Sequence, residues 1–155
     1  MAAVKKKVQK KEDSKAVGSK KKASVIVVRS KRKEAVARAY VRKGTGVVRV
    51  NNMLLDAISN PYTKTIMSEP IAIVDEGVAK GVDIDVSVYG GGSMGQAQAV
   101  RGAIARAFVA YTNDMELRER FYARDKFMVV EDSRRVEPKK YLGPKARARF
   151  QKSYR

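Results

Sequence analysis

The sequence predicts an α+β fold with basic arms, and three observations carry that expectation. Val82 to Tyr89 alternates strictly: Val82, Ile84, Val86 and Val88 against Asp83, Asp85, Ser87 and Tyr89. That is the period of a half-buried strand. Directly after it, Ala97, Val100, Ile104, Phe108 and Tyr111 fall on one helical stripe. The third observation is where the charge sits. The 155 residues carry a formal net charge of +18. Residues 1–22 hold nine Lys against two acids, and residues 133–155 hold nine basic side chains against Glu137 alone. The 110 residues between are nearly balanced, with 16 basic and 13 acidic side chains. The chain is therefore divided into a Lys-rich arm (1–22), a globular α/β domain (23–132) and an extended basic tail (133–155). A polyanion is the expected partner.

Val25 to Val28 is β-branched and reads as a short strand buried on both faces. Arg29, Lys31, Arg32 and Lys33 read as a basic turn. Ala35 to Arg42 alternates again, with Ala35, Ala37, Ala39 and Val41 on one face and Val36, Arg38, Tyr40 and Arg42 on the other. That second face is basic and aromatic, so it can lie on RNA. Gly44-Thr45-Gly46 is a turn, Val47 to Val50 a third strand, and Asn51-Asn52 a left-handed turn. Asn60-Pro61 opens a helix as N-cap and first helical residue. That helix is expected to end near Ser68, with a second short one starting at Pro70. Gly77 and Gly81 bracket a loop. Residues 114–122 read as a helix and Phe127 to Val130 as an extended piece.

Between the clearest strand and the striped helix stands Gly90-Gly91-Gly92-Ser93-Met94-Gly95-Gln96. Ser93 and Gln96 have capping-box spacing. Two readings of the loop stay open. Glycines let phosphate approach free N–H groups at a helix start, with Arg101 near enough to assist. Alternatively the loop is a tight strand-to-helix turn without a ligand. It is not a Walker loop, since no Gly-Lys-Ser/Thr follows.

The tail from Ser133 has too few apolar residues, too far apart, to build a core face, and Pro138 and Gly143-Pro144 interrupt any long helix. It is expected to be disordered in the free protein, as is the Lys-rich arm. Its Arg side chains offer planar forks that match phosphate oxygens, and Tyr141, Phe150 and Tyr154 offer faces for unstacked bases. Fully extended, it reaches roughly 75–80 Å. Single-stranded or looped RNA suits it better than lipid.

Several classes are excluded. The chain has no Cys and no His. Disulfides, Cys/His zinc sites and Ser-His or Cys-His catalysis are therefore absent. No apolar run approaches the ~20 residues of a spanning helix. No lipid-anchor signal accompanies the basic arm, so no membrane partner is expected. No cofactor is expected either.

Gly90 to Arg101 (G-G-G-S-M-G-Q-A-Q-A-V-R) and Asp132 to Arg155, with E-P-K-K-Y-L-G-P-K-A-R over Glu137 to Arg147, together resemble the ninth protein of the small ribosomal subunit, a universal family. The resemblance covers roughly residues 23–155. The ending Gln-Lys-Ser-Tyr-Arg is similar to the archaeal and eukaryotic branch; bacterial members end in Ser-Lys-Arg.

The resemblance implies a small mixed sheet packed against helices with a left-handed βαβ crossover, like the second domain of the subunit's fifth protein. It implies a cytoplasmic structural protein of the subunit head, bound to rRNA and neighbouring ribosomal proteins. Its tail would reach peptidyl-site tRNA, where Arg155, with Tyr154 and Lys152 beside it, meets anticodon-loop phosphates. The candidate rRNA contacts in the globular domain are Gly90, Gly91, Gly92, Ser93, Arg101, Arg32, Lys33, Arg38 and Arg42. In the tail they are Arg134, Arg135, Lys139, Lys140, Lys145, Arg147 and Arg149. Some small-molecule kinases share the fold type, but they follow the glycine loop with Ser-Ser-Ala. Here Ser93-Met94-Gly95-Gln96 stands instead, and Asp83, Asp85 and Asp114 belong to no recognisable motif. A free tRNA or DNA binder is the third alternative.

Overall fold

The computed structural model describes residues 25–151 and residue 153. The arm at residues 1–22 and the tail residues Lys152, Tyr154 and Arg155 lie outside the described residues. The elements in order are β1 (Ile26–Arg32), β2 (Ala35–Lys43), β3 (Val48–Val50), β4 (Met53–Leu54), a 3₁₀ turn (Leu55–Ala57), α1 (Pro61–Ile73), α2 (Glu76–Ala79), β5 (Val82–Tyr89), α3 (Ser93–Thr112), α4 (Met115–Arg124) and α5 (Lys126–Val129).

The strands form one mixed sheet in the order β1-β2-β5-β3-β4. β3 runs parallel to β5, and the chain between them crosses over through α1 and α2. The other pairings are antiparallel. Alternation in β2 and β5 sorts the two faces. Ala35, Ala37, Ala39 and Val41 join Val82, Ile84, Val86 and Val88 as buried residues on one face. α3 lies across that face, touching β1, β2 and β5, and α1 packs against α3. The α3 stripe is buried at Ala97, Val100, Ile104 and Phe108. Gly102 lets the helix approach β1, since a Cβ there would stand 2.5 Å from Ser30 Oγ.

Several expectations are corrected. β1 is longer than the apolar run and pairs only with β2 among the described residues. It is an edge strand, with Val27 57% exposed, not a strand buried on both faces. Arg29, Lys31 and Arg32 belong to it, because a seven-pair ladder with β2 extends through them. The turn is only Lys33-Glu34, with Lys33 in the left-handed region (φ 55°). α1 begins as read, Asn60 Oδ1 accepting from Tyr62 N–H at 3.0 Å. It then runs through Pro70 to Ile73 as one helix. Pro70 is buried in line with Thr63 and Met67, and that packing outweighs the lost N–H. The expected loop is in part the short helix α2, which begins at Glu76 and takes in Gly77.

The capping box does not form. Gly92 occupies the cap position of α3, and Gln96 Nε2 donates to Gly90 O at 3.0 Å instead. Phe127 to Val130 is not extended, since Lys126–Val129 makes a helical turn. Asp125 caps it by accepting from Phe127 N–H at 2.9 Å, and Met128 is driven into the core.

Candidate nucleic-acid interface

Among the described residues of the folded domain and the base of the tail, two regions collect cationic side chains, and they differ in what they can do. The first is the sheet face opposite the helices. Cross-strand register places Val27 beside Tyr40, Arg29 beside Arg38, and Lys31 beside Val36. It then sets Val36 beside Tyr89, Arg38 beside Ser87, Tyr40 beside Asp85, and Arg49 beside Asp85. Arg29, Arg38, Arg42 and Arg49 are exposed. The Arg38 guanidinium stands 5.9 Å above the Tyr89 ring. Asp85 is shared by Arg42 and Arg49. Asp83 is turned to the edge, where its carboxylate accepts from Thr45 N–H (2.8 Å) and Val47 N–H (3.0 Å). These two backbone donors, Val47 first, hold its pKa below the usual carboxylate range. Alternation had already put Tyr89 on this face, but neither it nor Arg49 was singled out as a contact residue in the sequence.

The second region is a clasp at the base of the tail. Asp132 is 3% exposed. Its carboxylate accepts from Arg134 N–H (2.8 Å), Arg134 Nη2 (2.8 Å) and Arg32 Nη1. Arg32 Nε also donates to Gln98 Oε1 at 2.6 Å, tying the clasp to α3. Arg134 lies over Phe127, 4.9 Å from its centroid, and Arg135 donates to the Asp132 carbonyl at 3.0 Å. The Arg134 side-chain bonds dominate in pushing the Asp132 pKa far below the usual range; its N–H and the charge of Arg32 add to this, against burial. Arg106 reinforces the anchor from α3, donating to Val129 O and Arg29 O at 2.8 Å each. Neither Asp132 nor Arg106 was singled out in the sequence. The spacing of Asp132 and Arg134 fits a side-chain turn that could have flagged the aspartate.

The nominated residues divide accordingly. Lys33, Arg38 and Arg42 are exposed on the open face or its hairpin. Arg32 lies on the helix side, its side chain 15% exposed. Arg101 points away from the glycine loop. Its Nη1 meets Asp125 at 2.6 Å, and its Nε lies 2.8 Å from Glu69 without a directed hydrogen bond. In the glycine loop, Gly90 and Gly91 have φ of 76° and 64°. A Cβ at Gly90 would stand 2.6 Å from Glu34 O, and one at Gly91 3.0 Å from Ala35 N. These two glycines are demanded by packing on the β1–β2 hairpin. Gly92 has no such neighbour within 4 Å, and it and Ser93 are exposed.

Beyond the clasp the tail has no helix or strand among the described residues. Residues 141–147 form turns and bends. Arg147 pairs with Glu137 at 2.9 Å, and Arg149 donates to Tyr141 O at 2.7 Å. Lys139, Lys140 and Lys145 are exposed, as are Tyr141 and Phe150. Exposed pairs of this kind contribute ~0–1 kcal/mol each.

A model of the family described as ribosomal protein S9/S16 matches residues 30–155. A relative named small ribosomal subunit protein uS9, from Methanothrix thermoacetophila, is 44% identical over 131 residues. The alignment covers 84% of this chain and 98% of that protein. The family match takes in the sheet, the glycine loop, the clasp and the whole tail, and leaves out the Lys-rich arm. The chain belongs to the ribosomal protein S9/S16 family.

Proposed function

We propose that this chain, a non-catalytic structural protein of the small ribosomal subunit, binds rRNA of the subunit head and extends its tail to peptidyl-site tRNA. Its place of work is the ribosome, in the cytoplasm. One observation carries the reading: the family match runs without interruption from β1 to residue 155. The tail therefore belongs to the same matched pattern as the folded base.

In this proposal Lys33, Arg38 and Arg42 meet rRNA from the sheet, and Gly92 and Ser93 from the loop. Lys139, Lys140, Lys145, Arg147 and Arg149 meet it from the tail. Arg32, Arg101, Arg134 and Arg135 contribute by holding the frame that presents them. Gly90 and Gly91 shape the loop. Arg155, with Tyr154 and Lys152, takes the anticodon-loop phosphates. Phosphate contacts fix position without reading sequence. Neighbouring head proteins complete the partner set.

The test is sedimentation of the tagged full chain with small subunits in high salt. Retention in the subunit peak supports the reading. Full release at salt that leaves other subunit proteins bound, with transfer to free tRNA, contradicts it.

A further inference from the structure

The open sheet face has features that phosphate binding alone does not explain. Tyr40 and Tyr89 stand four residue rises apart along the β2–β5 ladder, a spacing of about 13 Å. Arg38 lies between their rows, its guanidinium over the Tyr89 ring. Tyr89 is 52% exposed. Ser87 is exposed beside Arg38, and Asn52 is exposed at the far edge by the groove that Tyr40 lines. No ion pair holds Arg38 or Lys31 among the described residues. The face thus alternates rings, cations and short polar groups on a rigid ladder, and no described helix covers it.

We propose that this face is a platform for unpaired RNA, with bases stacking on Tyr89 and Tyr40 and phosphates meeting Arg38, Arg29 and Lys31. The proposal rests on the rRNA-binding reading above and names the form of RNA engaged. Stacking is what tyrosine rings offer a nucleotide, and only splayed bases present a free π-face. A duplex would use the cations and leave the rings idle. A protein partner would need a larger apolar patch. The aliphatic side chains among the arginines here are Val25, Val27, Val36 and, by its pairing with Arg49, Leu54, and the cationic surface around them is a poor match for an apolar partner. Charge complementarity therefore selects RNA, and the exposed Tyr89 ring with the half-buried Tyr40 ring selects its unpaired form.

The test uses the full chain and two probes, a single-stranded oligouridine of about ten nucleotides and an RNA duplex of similar length. Binding is followed by fluorescence anisotropy at several salt concentrations. Tyr89→Leu should weaken the single strand roughly five- to a hundredfold, the range of one lost base stack, with an unchanged salt slope. It should leave the duplex unaffected. Tyr89→Phe keeps the ring and should bind like wild type. Arg38→Gln should lower the salt slope by about 0.7 on the single strand. Tyr141→Leu controls for stacking by the tail. The proposal fails if Tyr89→Leu binds the single strand normally, if it weakens both probes alike, or if only Tyr141→Leu matters. It also fails if a photo-crosslinker at position 89 captures a protein in assembled subunits. Loss of sedimentation with subunits would instead sink the underlying ribosomal reading, whatever the oligonucleotides show.

Discussion

Arg32 in β1 and Asp132 at the base of the tail are 100 residues apart in sequence and share a largely buried ion pair. The pair fixes where the tail leaves the domain, because Arg134 closes on the same carboxylate from the tail side. Removing Asp132 leaves Arg32, 15% exposed, without its anion, although Arg32 keeps its bond to Gln98. Asp132→Ala should therefore cost about 1–3 kcal/mol in urea unfolding. The folded-state pKa of Asp132 is depressed, so the stability it contributes is present above its unfolded value and lost as pH falls toward the folded one. The gap between wild type and Asp132→Asn should be flat near neutrality and narrow below about pH 4. A gap independent of pH from 7 to 3 would show that the carboxylate charge does not hold the clasp.

The glycine loop separates two roles by position. Gly91 sits at φ 64° against Ala35, so Gly91→Val should cost at least ~1–3 kcal/mol of stability. Gly92 has ordinary φ and open space around it. Gly92→Val should leave the melting temperature nearly unchanged and weaken assembly onto rRNA if the loop meets phosphate. Normal assembly of the stable Gly92→Val chain would reduce the loop to a turn.

Exposed and paired arginines should behave oppositely. Arg101→Gln leaves Asp125 without its Arg101 partner, while Glu69 keeps Arg124, and should cost about 1–3 kcal/mol. Its effect on the RNA affinity of the folded fraction should be small. Arg38→Gln should leave the melting temperature within about 1 °C, as expected for an exposed side chain without a buried partner. Paired thermal melts and filter-binding titrations distinguish the two. If Arg101→Gln lowers the salt slope as much as Arg38→Gln, Arg101 also reaches phosphate.

Much of the fold was legible because local rules and tertiary context agreed. Alternation gave β2 and β5, and Asn60-Pro61 gave the start of α1. The errors arose where context won. Four basic residues after Val28 looked like a turn, yet cross-strand pairing drew three of them into β1. Pro70 looked like a helix boundary, yet its ring packs in the interior of α1. The candidate interface was legible as charge but not as geometry. Nothing local shows that Arg32 and Arg101 face carboxylates 100 and 24 residues downstream on the helix side, while Arg38 stays outward and Arg42 meets Asp85 on the open face. That division depends on which strand face the helices cover, and only the assembled sheet decides it.

The proposal that the tail serves peptidyl-site tRNA is tested most directly by removing its last two residues. Subunits assembled with a chain ending at Ser153 are titrated with tRNA by filter binding at several salt concentrations. One well-formed charge-assisted contact contributes ~1.5–3 kcal/mol, so affinity should fall roughly tenfold or more. The salt slope should fall by about 0.7–0.9 for the lost phosphate contact, and by similar amounts for different tRNA species. Subunit assembly should be unaffected, because the clasp and the remaining tail are intact. Wild-type affinity with a wild-type slope would contradict a role for Arg155 at the tRNA and leave the tail as a clamp on rRNA.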